Sequence, residues 1–154
     1  MLNWQLSKLR ELDALAAFDL FKLRQDVFIL EQTCLYPDID NLDQCAWHLL
    51  GRAEDGALAA CLRVIPPSGK YRGPALGRLA TSAAHRRCGY GQALLKEGIE
   101  RARGLFPAQG IYLAAQTYLL GFYQAFGFHE VGEPYLEDGI EHIEMVRPPT
   151  ATQL

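Results

Sequence analysis

Between an apolar segment, Ala75 to Thr81, and an amphipathic one, Tyr90 to Leu105, the chain carries the turn Arg86-Arg87-Cys88-Gly89-Tyr90-Gly91. A strand that runs through glycines into a helix is a building unit of α/β sheets, and it restricts the fold more than any other segment here. The first N–H groups of a helix lack internal partners and sit at the positive end of its dipole. Glycines let backbone approach an anion closely, and the two arginines add donors suited to phosphate. The turn therefore reads as an anion cradle. A P-loop would need Gly-Lys followed by Ser or Thr, which is absent, and a dinucleotide fingerprint would need a small residue where Leu94 stands.

The flanking pattern fills in the sheet. A strand is expected over Trp4 to Leu9 and a helix from Leu12 or Asp13, its buried face marked by Leu12, Leu15, Ala16, Leu20, Leu23, Val27 and Leu30. Thr33 to Gln44, with Pro37, Asn41 and three aspartates, reads as a loop. Strands Trp47 to Ala53 and Ala57 to Ile65 flank the hairpin signal Asp55-Gly56, and Pro66-Pro67 ends the second. After the glycine turn and its helix come a strand, Ile111 to Ala115, and a short helix, Tyr118 to Phe126, stopped at Gly127. Phe128 to Leu136 and Ile140 to Val146 form a last hairpin around Glu137-Asp138-Gly139, and the tail 148–154 is expected to fray. The order is β-α-β-β-β-α-β-α-β-β: one α/β (α+β) domain over 1–154 with a mixed sheet.

Charge is more informative by position than by sum. The net charge of -3 argues against nucleic acid as the main partner. From Arg78 to Arg103 basic residues prevail, whereas acids gather at Glu31, Asp38, Asp40 and Asp43 and again from Glu130 to Glu144. A phosphate-bearing ligand suits the middle and a cationic partner the flanks. No apolar run approaches the roughly 20 residues that cross a bilayer, and the N-terminus lacks the form of a secretory signal, so no membrane partner and a cytoplasmic location are expected. Cys34, Cys45, Cys61 and Cys88 stand apart without a CxxC pair, which points to free thiols and no metal site.

Arg86, Gly89 and Gly91 resemble the Q/R-x-x-G-x-G/A signature of the GCN5-related N-acetyltransferases (GNAT superfamily). Phe122-Tyr123-Gln124-Ala125-Phe126-Gly127-Phe128 is similar to the family's aromatic-Tyr-x-x-x-Gly-Phe element, at the matching interval. The opening third, from Leu23-Arg24 through Asp38-Ile39-Asp40, and the segment Tyr135 to Ile143 resemble the ElaA-like branch. The resemblance implies a GNAT fold whose splayed central strands admit acetyl-CoA as cosubstrate.

It also implies roles. Backbone of Arg87, Cys88, Gly89, Tyr90 and Gly91 would hold the pyrophosphate, with Arg86 beside it, and the edge Leu79, Ala80, Thr81 would pair with pantetheine amides. Gln116 stands where the family often has a cofactor-contacting asparagine. Tyr123 occupies the place of the general acid, a phenol being protonated at neutral pH. The base is open among Glu31, Asp40, His48 and His142; Glu31 also suits a cap or a substrate contact. Cys88 reads as a spacer. Arg63 and Arg78 are expected to pair with Glu31 or Asp40 and shape the acceptor pocket. The function implied is acetyl transfer to a primary amine, cationic in view of the acidic flanks, by a monomer or homodimer. Alternatives are a longer-chain acyltransferase resembling acyl-homoserine-lactone synthases and a non-catalytic acyl-CoA sensor.

Overall fold

The computed structural model describes residues 1–149, so the expected fraying beyond Pro149 lies outside the described residues. Seven strands form one sheet in the order β1-β2-β3-β4-β5-β7-β6: β1 (Asn3–Lys8), β2 (Trp47–Arg52), β3 (Leu58–Ile65), β4 (Ala75–Thr81), β5 (Ile111–Gln116), β6 (His129–Glu137) and β7 (Ile140–Arg147). All neighbours run antiparallel except β4 and β5. Helices α1 (Ala14–Arg24) and α3 (Tyr90–Leu105) cover the two faces, and α4 (Leu120–Gln124) precedes the last hairpin. The expected element order holds. A single turn of helix, α2 (Leu42–Cys45), is added within the stretch read as a loop.

Alternation along the strands divides the core. Leu49, Leu62, Val64, Leu76, Leu113, Ile143 and Met145 face α3, which presents Leu94, Leu95, Ile99 and Ala102. Gly98 lets the helix approach: a Cβ there would lie 2.5 Å from Leu62 Cδ2. On the other face Leu50, Cys61 and Ala80 meet Leu20, Leu23 and Val27.

Asp13 is the N-cap of α1 rather than a helical residue, its carboxylate accepting from Ala16 N–H at 2.7 Å. After Arg24 the helix widens into a π turn, Gln25–Glu31. The buried stripe is Ala16, Leu20, Leu23 and Val27, at ordinary helical spacing. Leu15 and Leu30, expected on that face, are 76% and 64% exposed. Gly127 does end the α4 segment, at φ +89°.

Candidate acyl-transfer site

Strands β4 and β5 share one register pair, Ala75 with Tyr112, and separate beyond it. The cause lies one strand away. Cys61 of β3 pairs with Ala80 and Arg63 with Gly77, leaving Arg78 and Leu79 opposite Leu62 alone. That is a β-bulge, with Arg78 in the left-handed region at φ +52°. It turns β4 away from β5, and the gap widens into a cavity of about 560 Å³ lined by Gly77, Arg78 and Leu79 on one side and Leu113, Ala114 and Gln116 on the other.

The glycine turn stands beside this gap. A 3-10 turn, Ala83–His85, leads from β4 into Arg86. Arg87 (φ +64°) and Gly89 (φ +75°) both take left-handed conformations, and Gly89 is the N-cap of α3. The first bond into α3 is Ala93 N–H to Gly89 carbonyl at 3.1 Å, so the N–H groups ahead of it have no partner within the helix. A Cβ at Gly89 or Gly91 would meet nothing within 4 Å, so that side of the turn faces open space. The turn thus fits a phosphate held by main-chain donors. Cys88 is exposed, its sulfur 3.6 Å from the Arg86 carbonyl. All four cysteines are free.

Two expectations for this region change. Arg86 does not offer its guanidinium outward: it grips Glu31 at 2.6 and 2.5 Å and the Thr81 carbonyl at 3.2 Å. Glu31 is therefore no base in the cavity; the Arg86 hydrogen bond holds its carboxylate below the usual range. Of the edge Leu79–Thr81, only Leu79 lines the cavity. Ala80 is buried against α1, and the Thr81 carbonyl is taken by Arg86.

Tyr123, on α4, reaches the cavity from the β5 side and is 7% exposed. Phe122 and Phe128 pack edge-on against its ring, with centroids at 5.2 and 6.2 Å. Among the described residues its hydroxyl makes no hydrogen bond. Burial, with a smaller contribution from Tyr118, pushes its pKa up to about 12. Gln116 ends β5 opposite His142 of β7, and both line the cavity. His142 Nδ1 lies 2.8 Å from the Ile140 carbonyl, and its ring stacks on Tyr135.

The third wall is an ion network. Asp43, almost fully buried, accepts from Arg24 at 2.7 Å, from Arg63 at 3.0 Å and from the Asp40 N–H at 3.0 Å. Burial raises its pKa, but these donors outweigh that and bring it to about 2. Asp40 pairs with Arg63 and Arg78, as expected of those arginines, which do not touch Glu31. Asp38 completes the set between Arg24 and Arg78. Asp40 is thereby locked as a carboxylate and unsuited to take a proton. His48 is fully buried, its Nε2 on the Asp43 carbonyl, and lies off the cavity. Arg24, Asp38 and Asp43 had no assigned role in the sequence. The available signal was a lone Arg next to the buried stripe of α1 and aspartates spaced through a supposed loop.

Among the described residues no His, Cys, Asp and Glu group is placed to hold a metal, and no helix is long and apolar enough to cross a membrane.

Comparison with known proteins agrees with this geometry. Residues 28–147 match the model of the "Acetyltransferase (GNAT) domain". A UPF0039 protein of Synechocystis sp. is 39% identical over 94% of both chains. Protein ElaA of Escherichia coli is 38% identical over 96% of this chain and 97% of its own; its crystal structure superposes with a TM-score of 0.87. The crystal structure of an acyl-CoA N-acyltransferase from Pseudomonas aeruginosa covers 96% of this chain and 99% of its own at 36% identity and a TM-score of 0.89. The chain belongs to the GNAT acetyltransferase family, in its ElaA-like branch, and is an acyl-CoA-dependent acyltransferase.

Proposed function

We propose that the protein moves the acetyl group of acetyl-CoA to a primary amine by direct attack, with Tyr123 donating a proton to the departing sulfur. What carries the reading is a phenol without a hydrogen-bond partner among the described residues, 7% exposed, in a gap beside an open glycine turn. Acetyl-CoA supplies the activated thioester when bound. Main-chain donors from Arg87 to Gly91 hold its pyrophosphate, Arg87 adds an exposed charge, and Gln116 and Leu79 flank the entry to the gap.

His142 takes the ammonium proton before attack. Its Nδ1 faces a carbonyl at 2.8 Å, which fixes the proton on that nitrogen and leaves the Nε2 lone pair available. The C–N bond then forms as the C–S bond breaks, and Tyr123 passes its proton to sulfur and regains one from the new amide nitrogen. A phenol near 12 stays protonated at working pH. Its transfer to a thiolate of ordinary pKa about 8.5 runs uphill by roughly 5 kcal/mol, so it accompanies bond breaking rather than preceding it.

A panel of amines and acyl-CoAs, followed by free-thiol release, tests the reading. Acetyl-CoA with a primary amine should give turnover. Coenzyme binding with no turnover on any amine would favour a sensor, and preference for long acyl chains would favour the longer-chain alternative.

A further inference from the structure

Lys70, Tyr71 and Tyr135 take no part in that scheme, and a cation already sits beside the Tyr71 ring. Glu144 of β7 accepts a hydrogen bond from Tyr135 at 3.1 Å and another from Tyr71. Tyr71 comes from the β3–β4 connection and stacks on Tyr112, with centroids 5.0 Å apart. Lys70, beside it in sequence, places Nζ 3.5 Å from Glu144 Oε1 and 5.1 Å from the centre of the Tyr71 ring. The Lys70 side chain is 67% exposed, so what keeps it there is a carboxylate and an aromatic face rather than packing. Lys70, Tyr71 and Tyr135 line the same cavity as Tyr123 and His142.

Charge balance separates the two ends of this cavity. At the α1 end Asp38, Asp40 and Asp43 are matched by Arg24, Arg63 and Arg78. On the hairpin, Glu137, Asp138 and Glu144 meet a single cation, Lys70, among the described residues. Burial, together with Glu144, raises the pKa of both Tyr71 and Tyr135, so both phenols remain donors that orient the Glu144 carboxylate. An exposed lysine pair of this kind is weak and easily displaced.

We infer that Glu144, the Tyr71 ring and Tyr135 form a subsite for a second positive charge on the acceptor, and that Lys70 fills it in the acceptor's absence. The inference rests on the proposed acetyl transfer. The acceptors are then small amines with a remote second cation, one nitrogen reacting beside Tyr123 and the other resting on Glu144.

The test titrates the full chain, saturated with coenzyme A, with putrescine, cadaverine and spermidine and with n-butylamine and n-pentylamine, by calorimetry. The diamines should bind at least roughly tenfold more tightly than the monoamines, a charge-assisted contact being worth that much. Glu144→Gln should erase the difference. Lys70→Ala, a surface change that leaves folding intact, should tighten the diamines and leave the monoamines alone. Equal affinity for diamines and monoamines, or a diamine preference that neither variant moves, would overturn the subsite. Coenzyme A affinity is read in a separate titration of the free chain beforehand: its absence would overturn the acyl-transfer reading beneath, and its presence with no diamine preference would overturn the subsite alone.

Discussion

Replacing Tyr123 by Phe separates a chemical role from a packing role, because the structure assigns them to different parts of the side chain. The ring meets Phe122 and Phe128 edge-on, and a phenylalanine keeps those contacts. The hydroxyl has no described partner, so its removal breaks no hydrogen bond and leaves no group unsatisfied. Folding free energy should change by less than about 1 kcal/mol, in either direction, since the hydroxyl lines the cavity and no described hydrogen bond is lost. Turnover should fall by roughly 10² to 10⁴, the usual worth of a positioned acid. The KM for acetyl-CoA should change little, since the phosphate-binding turn is untouched. Urea unfolding followed by circular dichroism gives the first quantity and thiol release gives the others. A Tyr123→Phe protein that folds as the wild type and keeps its kcat would refute the proton-donor role; one that loses stability and activity together would make Tyr123 a packing residue.

Further outcomes follow from the same geometry. Asp43→Asn leaves Arg24 (1% exposed) with Asp38, and Arg63 (5% exposed) with Asp40, as remaining charge partners; unfolding free energy should drop by about 1–3 kcal/mol in denaturant titration. Asp43 also makes stability depend on acid. Its folded pKa, about 2, lies below the ordinary 3.8, so it stabilises the fold above that ordinary value, and the contribution is lost as pH falls toward 2. The loss is on the order of 2 kcal/mol, to be seen in wild type but not in Asp43→Asn. Gly98→Ala drives a methyl to 2.5 Å from Leu62 and should cost about 1–3 kcal/mol in thermal unfolding, with partial recovery on adding Leu62→Val. Gly91→Val places a side chain in the open face of the turn and should weaken acetyl-CoA roughly tenfold or more in calorimetry, with stability little changed.

The architecture was legible where local signals were strong and agreed with one another. Ala75–Thr81 and Tyr90–Leu105 stand at the bounds read from apolar runs and a glycine turn. The π turn after Arg24 was not legible, since nothing in a 3.6-residue period announces one widened turn, and Leu30 was misplaced as a result. The site divided along the same line. The cradle is backbone chemistry written in Gly89 and Gly91, whereas the ion network joins Arg24, Asp38, Asp40, Asp43, Arg63 and Arg78 across four elements. Pairings of that kind depend on tertiary approach, so Arg63 could be assigned to an acid but Glu31 was offered to the wrong partners. Glu31, the last residue of the π turn, and Arg86 lie 55 residues apart in sequence and meet only in the folded chain. Glu144 was read only as part of an acidic flank, and Tyr71 and Lys70 were invisible for a like reason: a lone Lys after a Pro-Pro-Ser-Gly turn reads as solvated surface.

The proposed transfer depends on a bulge in β4 that opens the sheet beside a glycine turn, so that a coenzyme held by its phosphates reaches Tyr123. Calorimetric titration of the purified protein with acetyl-CoA tests this most directly. One molecule should bind per chain, with a dissociation constant in the roughly 1 μM to 1 mM range common among enzyme substrates, and Gly91→Val should weaken it. An absence of binding heat, confirmed by equilibrium dialysis, would contradict the account.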